Sequence, residues 1–492
     1  MTNLTIAKDA NQGESEQKNQ KNQRKKVAVV GSGISGISAA WFLSQEHDVT
    51  LFEKNEKLGG HTNTTTLDLD GKSQPVDTGF IVFNTPNYPN LTAMFKHLQV
   101  KTQETEMSFS VTANQGELEY SGNNINTLFA QRRNLFSVAH WKMIGEILRF
   151  NKQAKQDLEV NHFGTDAPLT LSLGDYLDNH GFSQRMRDYY LLPMAAAIWS
   201  CPLETMMKFP VGSFLQFFEN HGLLNIEDRP QWESVVNGSE QYIKAIMANE
   251  PFAVQLSSPV TNVYKTDFGM AVCTPKGQEM VFDDVVFASH ADETYQILDD
   301  DLKTDFELLS NFKYQENIAY LHSDLKLMPK RKLAWAAWNY LRDTHSEESP
   351  VAVTYWMNLL QNFKTKTPLL VTLNPSQPPQ KSLTHQRIVY QHPVFDSDAM
   401  TSQKYLSDIQ GKHNLWFCGS YFGYGFHEDG LTSSVNLAKL WNIDLPWDKK
   451  ASTKQTPEKP LENLSEDDLK PSEQSNQASQ SNQSSAQDQK NA

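Results

Sequence analysis

The chain has 492 residues, a length that allows two domains of ordinary size, and its formal net charge of −14 argues against a nucleic-acid partner, because phosphate binding needs a basic face. Its three cysteines, Cys201, Cys273 and Cys418, are widely spaced and show no CxxC or Cys/His ligand spacing. This spacing argues against a disulfide framework and predicts no metal site.

Both ends of the chain are polar. Residues 1–25 are rich in Gln, Asn and Lys without the apolar core of a secretory signal, and no run of 18 apolar residues occurs in the chain. Residues 450–492 have almost no large apolar side chains to offset the entropy of ordering. We therefore expect a disordered extension at 1–25, a disordered tail at 450–492, and a cytoplasmic protein.

The first predicted strand, over residues 27–30, leads into a turn with the spacing GxGxxG and then into an Ala-rich helix and a second strand that ends at Glu53. This order is typical of a dinucleotide-binding unit. Gly31 permits the tight turn, Gly33 lets the backbone approach a pyrophosphate, and Gly36 lets the helix pack closely on the sheet.

The helix after this turn begins near Ile34 and Ser35, where free N–H groups and the positive dipole end favour a phosphate. Glu53 is placed to accept hydrogen bonds from a ribose. The alternative is an ordinary strand-helix-strand unit with a glycine-rich turn and a solvated Glu53. The agreement of several offsets at once favours the dinucleotide site.

A second glycine pair lies in the segment 56–62, Glu-Lys-Leu-Gly-Gly-His-Thr, and Val-Asp-Thr-Gly-Phe follows at 76–80. This pattern resembles the flavin-containing amine oxidoreductases, the superfamily of monoamine and polyamine oxidases, protoporphyrinogen oxidase and phytoene desaturase. Those enzymes usually have Arg on either side of the pair, where this chain has Lys57 and His61, which implies a weaker or pH-sensitive phosphate contact. The resemblance implies FAD as the cofactor, with contacts from Lys54, Gly59, Gly60, His61 and Thr62.

In the middle of the chain, the predicted elements change from helices to strands. Helical patterns such as Leu173 to Tyr190 dominate up to about Pro230, and a helix is predicted over 241–249. Strands are predicted over 254–256, 259–263, 270–273 and 284–288. In the family that the chain resembles, Val260 and Val263 mark the strand beside the adenine.

This order predicts an α/β fold with two domains. A discontinuous Rossmann-like FAD-binding domain takes residues 26–85, 235–297 and 404–445. A mixed α+β substrate domain takes residues 86–234 and 298–403.

Residues 415–420 have the pattern of a buried strand that reaches a turn, and a helical segment follows. In the superfamily such a strand, turn and helix hold the flavin, so the resemblance implies contacts from Gly419 and Ser420. It also implies a helix start at Gly430 and Leu431 that faces the pyrimidine end of the ring, where a positive dipole stabilises charge on reduced flavin. The alternative is an aromatic-rich structural turn.

Catalytic candidates are few, since a flavin that accepts a hydride needs no metal and sometimes no side-chain base. The best polar candidates are His427, Glu428 and Asp429, where a carboxylate can orient water or a proton and the imidazole can relay one. The alternative is a charged cap at a helix start.

A narrower resemblance covers nearly the whole globular part. It is to the bacterial flavin oxidoreductases whose relatives form the amino-terminal flavin domain of plant cyclopropane fatty acid synthases, and it implies lipid acyl chains as the substrate class. The segments that carry it are 61–64, 89–91, 107–110, 128–134, 197–200, 220–223, 356–358 and 425–430.

Two further patterns bear on such a substrate. Aromatic clusters at 335–340, 355–356 and 421–426 are typical either of core packing or of an apolar tunnel for an acyl chain. The segment 129–152 mixes basic and apolar residues as an amphipathic helix does, either covering the substrate domain or resting on an anionic lipid surface. We expect core packing and a covering helix respectively, with tunnel residues beside the segment 421–426.

The sequence thus predicts an FAD-dependent oxidoreductase that takes a hydride from a lipid acyl group, an oxidation or desaturation. An amine or porphyrinogen oxidase is one alternative, and a flavin-binding partner protein without turnover is another. Peripheral contact with the inner face of the membrane is compatible with the prediction, while the oligomeric state and the electron acceptor stay open.

Overall fold

The computed structural model describes residues 24–69, 71–161, 171–199, 203–225, 230–275, 277–342 and 352–448. The predicted disorder at 1–25 and 450–492 lies outside these residues, except for Arg24 and Lys25. Arg24 forms an ion pair with Asp48.

The strands are β1 (Lys26–Val30), β2 (Asp48–Phe52), β3 (Thr64–Leu69), β4 (Lys72–Asp77), β5 (Phe83–Asn84), β6 (Thr102–Thr105), β7 (Phe109–Ala113), β8 (Leu118–Ser121), β9 (Trp232–Val235), β10 (Ala253–Gln255), β11 (Asn262–Thr266), β12 (Gly269–Cys273), β13 (Glu279–Phe282), β14 (Asp284–Phe287), β15 (Lys313–His322), β16 (Trp338–Arg342), β17 (Ala352–Trp356), β18 (Leu370–Leu373), β19 (Thr384–Val394) and β20 (Leu415–Phe417).

The α-helices are α1 (Ile34–Leu43), α2 (Pro89–His97), α3 (Ile125–Leu128), α4 (Val138–Asn161), α5 (Leu173–Asn179), α6 (Gln184–Met186), α7 (Leu192–Trp199), α8 (Leu203–Met207), α9 (Val211–Asn220), α10 (Glu240–Met247), α11 (Ala291–Ile297), α12 (Asp300–Lys303), α13 (Met357–Leu360), α14 (Ser397–Gln403) and α15 (His427–Leu440). A π-helical turn spans Arg187–Leu191. Short 3₁₀ helices lie at Asn114–Gly116, Arg132–Phe136, Thr304–Asn311, Leu325–Leu327, Lys332–Ala334, Lys381–Leu383, Lys412–Asn414 and Ser420–Phe422.

A parallel sheet of order β10-β2-β1-β14-β20 forms the first layer. Its central strands are apolar on both faces, as expected of a parallel sheet covered on both sides. Val27 and Val29 pack with α1 and α15, whereas Ala28 and Val30 pack with the β11-β12-β13 meander. The sheet draws strands from all three segments predicted for the FAD domain, and the α/β fold class is confirmed. The exact domain boundaries stay a prediction.

A second, mostly antiparallel sheet has the order β19-β15-β18-β17-β16-β7-β8, with β16 and β7 parallel. Its strands come from the two segments predicted for the substrate domain. Helices α4 and α9 bury Met143, Phe150, Phe214 and Phe218 in the core that includes this sheet. Among the described residues, no helix combines the length and apolar character needed to cross a bilayer.

Two predicted elements are wrong in their bounds. The strand predicted over 259–263 is instead β11, which begins at Asn262, because Pro259 has no N–H for a ladder hydrogen bond. The helical pattern from Leu173 to Tyr190 is interrupted after α5 by Gly181, whose φ of 61° does not continue a helix. Ser183 then caps α6 by accepting a hydrogen bond from the Met186 N–H.

Candidate functional site

A cavity of about 910 Å³ lies at the carboxyl edge of the parallel sheet. Its wall includes residues at or just beyond the ends of four neighbouring strands, namely Val30 and Gly31, Phe52 and Glu53, Ala288 and Ser289, and Gly419 and Ser420. Open α/β sheets bind ligands outside the carboxyl ends of their strands. The sheet therefore places the predicted turns around one site.

The three glycines of the first turn have different surroundings. Gly31 has φ of 101°, and a Cβ there would lie 2.9 Å from the Ala288 carbonyl oxygen. A Cβ on Gly36 would lie 1.8 Å from the Gly31 carbonyl oxygen, whereas a Cβ on Gly33 would meet nothing within 4 Å. The fold itself thus requires the first and third glycines, while the second faces open space in the cavity wall, which suits the close approach of a pyrophosphate.

Glu53 is buried directly after β2 and lines the cavity. Its Oε2 accepts hydrogen bonds from the Ser32 N–H (3.0 Å) and the Ser32 hydroxyl (2.5 Å). Its Oε1 accepts from the Asn55 N–H (2.8 Å) and the Asn55 side-chain amide (2.7 Å). These four bonds use the ordinary capacity of a carboxylate. A ribose hydroxyl that bound here would compete with Ser32 or Asn55, and the ribose contact stays a prediction.

The second glycine pair packs against the first turn. Gly59 and Gly60 have φ of 124° and 55°, which favour glycine, and the Gly59 N–H donates to the Ser32 hydroxyl (3.1 Å). A Cβ on Gly60 would lie 3.2 Å from the Gly33 Cα. The two motifs thus form one continuous backbone surface on the cavity.

The groups that replace the family's arginines differ from each other. Lys57 donates to the Asn63 side-chain oxygen, and the His61 ring stacks on Tyr390 at 4.9 Å. Burial lowers the pKa of His61 well below its ordinary value. His61 therefore stays neutral near pH 7, and the pH-sensitive contact suggested by its sequence position is not expected there.

His427 sits in a hydrogen-bonded chain at the cavity wall. The Thr62 and Tyr242 hydroxyls lie 2.5 Å apart, and the Tyr242 hydroxyl lies 3.1 Å from His427 Nε2. Phe80 stacks on the imidazole at 3.9 Å. Burial lowers the pKa of His427 to about 3, so the imidazole is neutral and is better suited to hydrogen bonding than to holding a proton.

Glu428 and Asp429 hydrogen-bond to main-chain groups. Glu428 accepts from the Asn90 N–H (2.8 Å) and the Leu91 N–H (3.0 Å) in the first turn of α2. Asp429 accepts from the Tyr424 and Phe426 N–H groups, both at 2.9 Å. The cavity wall contains neither carboxylate. Their hydrogen bonds to main-chain N–H groups therefore favour the alternative that they cap helices. A catalytic role for the pair stays a prediction.

The variant Glu428→Gln distinguishes a helix-capping role of Glu428 from a catalytic one. We expect it to lower the free energy of unfolding by about 1–2 kcal/mol, because an amide can no longer accept at both ends, and to leave flavin content unchanged. Denaturant unfolding and the flavin absorbance of the purified variant measure these effects. Loss of substrate-dependent flavin reduction with unchanged stability would instead restore Glu428 as a catalytic residue.

The helix start predicted at Gly430 and Leu431 is wrong. Helix α15 begins at His427, and a Cβ on Gly430 would lie 2.8 Å from Ile34 Cγ2 and from Ser35 Oγ of α1. Gly430 therefore allows the two helices to pack closely, and Leu431 is fully buried between them and the sheet core. In the first turn of α15, His427 is the residue that lines the cavity.

The predicted cofactor residues thus separate into two groups. Those that line the cavity are Gly31, Gly33, Ile34, Ser35, Glu53, Lys54, Gly60, His61, Val260, Gly419 and Ser420. Those that do not line it are Gly36, Gly59, Thr62, Val263, Gly430 and Leu431. Lys54 also forms an ion pair with Glu293, with Nζ and Oε1 2.8 Å apart.

Several cavity residues were not predicted. His290 follows β14 and stacks on Tyr314 at 4.1 Å, and His392 lies 5.2 Å from His61 between ring centroids. The position of His290 just beyond a parallel strand is a usable signal. Tyr390 and His392 belong to β19 of the other sheet, and nothing local in the sequence links them to the glycine turns.

One part of the cavity, here called the apolar arm, lies toward the second sheet and the helices packed on it. Glu53, Lys54, Lys57 and Glu293 are the charged side chains of the cavity wall among the described residues, and all four belong to the glycine end. Burial lowers the pKa of His221, a member of the arm, to about 4. The arm is formed by Met107, Ile198, Trp199, Phe217, His221, Leu223, Trp232, Trp338, Tyr355, Leu373 and Phe426.

The aromatic clusters divide between the two expected roles. Trp338, Tyr355 and Phe426 line the cavity, whereas Tyr340 is fully buried in the core. Within the described part of the chain, no three His, Cys, Asp or Glu side chains are arranged to hold a metal ion.

Comparisons with known proteins agree with this architecture. The family model described as flavin containing amine oxidoreductase matches residues 34–349. An L-amino-acid oxidase of Pseudechis australis is 42% identical over 69 residues, 14% of this chain and 12% of the relative. A 4,4'-diapophytoene desaturase of Staphylococcus aureus is 48% identical over 44 residues, 9% of each chain. The chain thus spans about a tenth of the length of these curated relatives.

A solved structure extends the likeness over the whole fold. The CLA-producing fatty acid isomerase from P. acnes superposes with a TM-score of 0.62 at 15% identity, covering 85% of this chain and 99% of the isomerase. At this identity the comparison shows a shared fold.

Proposed function

The chain belongs to the flavin containing amine oxidoreductase family, which makes it a flavin oxidoreductase with FAD as its cofactor, and from that premise we propose that it oxidises or desaturates a lipid acyl chain. Bound FAD supplies the hydride acceptor. The glycine end of the cavity suits this cofactor, since Gly33 leaves open space and α1 directs its amino-terminal end there.

The observation that carries the proposal is the absence of charged side chains from the apolar arm among the described residues. Each CH₂ group of an acyl chain gains about 0.8 kcal/mol when it leaves water. An ammonium or carboxylate enclosed without a partner costs several kcal/mol. The balance favours an uncharged apolar substrate, with the chain held so that one C–H bond lies against the flavin.

The names of similar proteins divide between apolar and amine substrates, since an L-amino-acid oxidase is among the sequence relatives, and two of them support the apolar class. A desaturase matches in sequence and a fatty acid isomerase matches in fold. His427 is the polar side chain that we assign beside the reacting carbon, as a hydrogen-bonding group held in place by Tyr242 and Phe80.

Anaerobic mixing tests the substrate class directly. We expect acyl lipids in detergent to bleach the flavin absorbance and primary amines to leave it unchanged. Met107→Lys should abolish bleaching by acyl lipids with flavin content intact, because it places a charge in the arm. Met280→Lys, a change of the same kind in β13 away from the cavity, is the control. Bleaching by amines alone would contradict the proposal.

Amine oxidation is the second candidate, because the rings of Trp199, Trp338 and Tyr355 can hold a cation by cation–π contact. Peroxide release with amines would favour it. A flavin that no acyl lipid, amine or porphyrinogen reduces would favour the partner protein without turnover.

A further inference from the structure

Six exposed large apolar side chains of the described chain lie within residues 125–148, namely Ile125, Leu135, Phe136, Val138, Trp141 and Leu148. Phe136 is 90% exposed, Val138 82%, Ile125 79% and Trp141 51%. Side chains of this size are usually buried, and a cluster of them at the surface marks an interaction site. The Trp141 indole N–H donates to the Leu135 carbonyl (3.0 Å), which fixes the ring in its half-exposed position.

Helix α4 has one face buried in the core and another exposed to solvent. Met143 and Phe150 are buried beneath it, whereas Trp141, Lys142 and Leu148 are exposed. The inner side of this helix covers the core, as expected for the segment 129–152, and large apolar groups share its outer face with basic groups.

This region is positively charged, whereas the chain as a whole is negatively charged. Residues 121–156 contain six Lys or Arg and one acid, Glu146, within a chain of net charge −14. Glu146 is buried and accepts a hydrogen bond from the Ser183 hydroxyl, so it does not offset the surface charge.

A second basic segment, distant in sequence, adjoins the first. Residues 325–342 contain no Asp or Glu, and Lys326, Lys330 and Lys332 are exposed there. The 3₁₀ helix Lys332–Ala334 contacts α3 and β8. Arg331 pairs with the buried Glu119 of β8 at 2.7 Å, which holds the second segment against the strand that leads into the first.

Strand register places this region near the substrate end of the cavity. Phe109 of β7 lies opposite Trp338 of β16, and Ser110 lies opposite Ser121 at the end of β8. The chain therefore leaves β8 toward α3, and enters β16 from the 3₁₀ helix, at one end of the sheet. Trp338, at that end, lines the apolar arm.

We infer that residues 125–152 and 325–333 form a docking surface for an anionic phospholipid bilayer. Exposed aromatic and aliphatic side chains enter the headgroup boundary while lysines and arginines meet lipid phosphates. A symmetric dimer through this surface fits poorly, since it would bring one basic surface against another. Delivery of a membrane-held substrate from this surface to the apolar arm rests on the proposed function, whereas the docking itself does not.

Vesicle sedimentation with the full-length, flavin-loaded protein tests the docking. We expect binding to vesicles of phosphatidylcholine mixed with phosphatidylglycerol, little binding to phosphatidylcholine alone, and a steep decline with added salt. Equal binding to both vesicles, or no binding to either, would overturn the inference.

Variants locate the surface. Lys142→Glu, Lys326→Glu and Lys330→Glu together should weaken binding by on the order of 100-fold. The matched control reverses three exposed lysines elsewhere, Lys96, Lys265 and Lys404, and changes the net charge equally. Equal loss in both triple variants would overturn the inference, because net charge alone would then explain binding.

The apolar contribution has its own pair of variants. Phe136→Ser should weaken vesicle binding about tenfold, while Phe268→Ser, which alters a phenylalanine 87% exposed between β11 and β12, should not. Sedimentation equilibrium without lipid is run alongside. A dimer that Phe136→Ser dissociates would assign the surface to self-association and overturn the inference.

Turnover distinguishes a failed docking surface from a failed function. The lysine triple variant should reduce its flavin normally with detergent-dispersed acyl lipid and slowly with lipid in vesicles. If no acyl lipid reduces the wild-type flavin but anionic vesicles still bind it, the proposed function fails and the docking surface stands.

Discussion

Gly33→Val is expected to give a folded protein that purifies without flavin. A side chain at Gly33 meets no protein atom within 4 Å, and its φ of −59° suits any residue, so the fold tolerates the change. The same side chain would occupy the open space where the pyrophosphate approaches the backbone. Flavin absorbance per protein should fall at least tenfold, while circular dichroism stays that of the wild type.

Two other glycines serve as controls. Gly36→Val should prevent folding, because its Cβ would lie 1.8 Å from the Gly31 carbonyl oxygen. Gly122→Val, in a loop where a Cβ also meets nothing within 4 Å, should keep its flavin. Full flavin occupancy in Gly33→Val would show that the cofactor lies elsewhere in the cavity.

The first strand, glycine turn and helix could be predicted closely because their determinants are local. An apolar run of β1, three glycines at fixed offsets and an acid at the end of β2 all fall within residues 26–53. The backbone angle of Gly31 suits a tight turn, and the close contact at Gly36 leaves no room for a side chain there. Local signals of this kind need no knowledge of the rest of the fold.

The groups that lock the site together could not be predicted, because their partners are distant in sequence. Tyr242 meets His427 across 185 positions. Buried Asp77 accepts hydrogen bonds from the Ser239 N–H across 162 positions and from the Gln361 amide across 284. Before folding, an aspartate in such a network looks like any other aspartate.

The start of α15 was missed for a different reason. The resemblance to the family implies a helix start at Gly430 and Leu431. Two acids, Glu428 and Asp429, are themselves a first-turn signal, and Asp429 accepts from the Phe426 N–H as an acid at the third position of a helix does. Capping chemistry gives the observed start at His427.

Stability is expected to fall steeply as the pH drops from about 6.5 to about 4. Burial lowers the pKa of His221, His322 and His392 to about 4 and that of His427 to about 3. In the unfolded chain these imidazoles bind protons near pH 6.5. Between these values the unfolded state holds more protons, so the free energy of unfolding decreases as the pH falls.

Two buried carboxyl groups change the free energy of unfolding with pH in the opposite direction to the histidines. Burial raises the pKa of Asp77 and of Asp429 to about 6, so the stability they contribute is present below about pH 4 and is lost as the pH rises through 6. Each imidazole changes the free energy of unfolding by roughly 3 kcal/mol across its window. Four imidazoles outweigh two carboxyls, and the net effect is acid lability.

His322 is the best position to test the loss of stability caused by imidazole protonation. It lies outside the cavity, so bound FAD does not alter its surroundings. Its Nδ1 accepts a hydrogen bond from the Asp324 N–H at 3.0 Å, and its Nε2 lies 2.7 Å from the Thr372 hydroxyl. A proton added at Nδ1 would face that N–H and break the bond, which gives a geometric cause for the low pKa.

His322→Asn should therefore lower the melting temperature at pH 7.5 but flatten its decline between pH 6.5 and pH 4.5. The amide oxygen can still accept from the Asp324 N–H, and the side chain binds no proton in this range. Exposed His97→Asn, the control, should follow the wild-type curve. A variant that loses stability with acid as steeply as the wild type would show that the protons responsible bind elsewhere, and His221 would be the next position to replace.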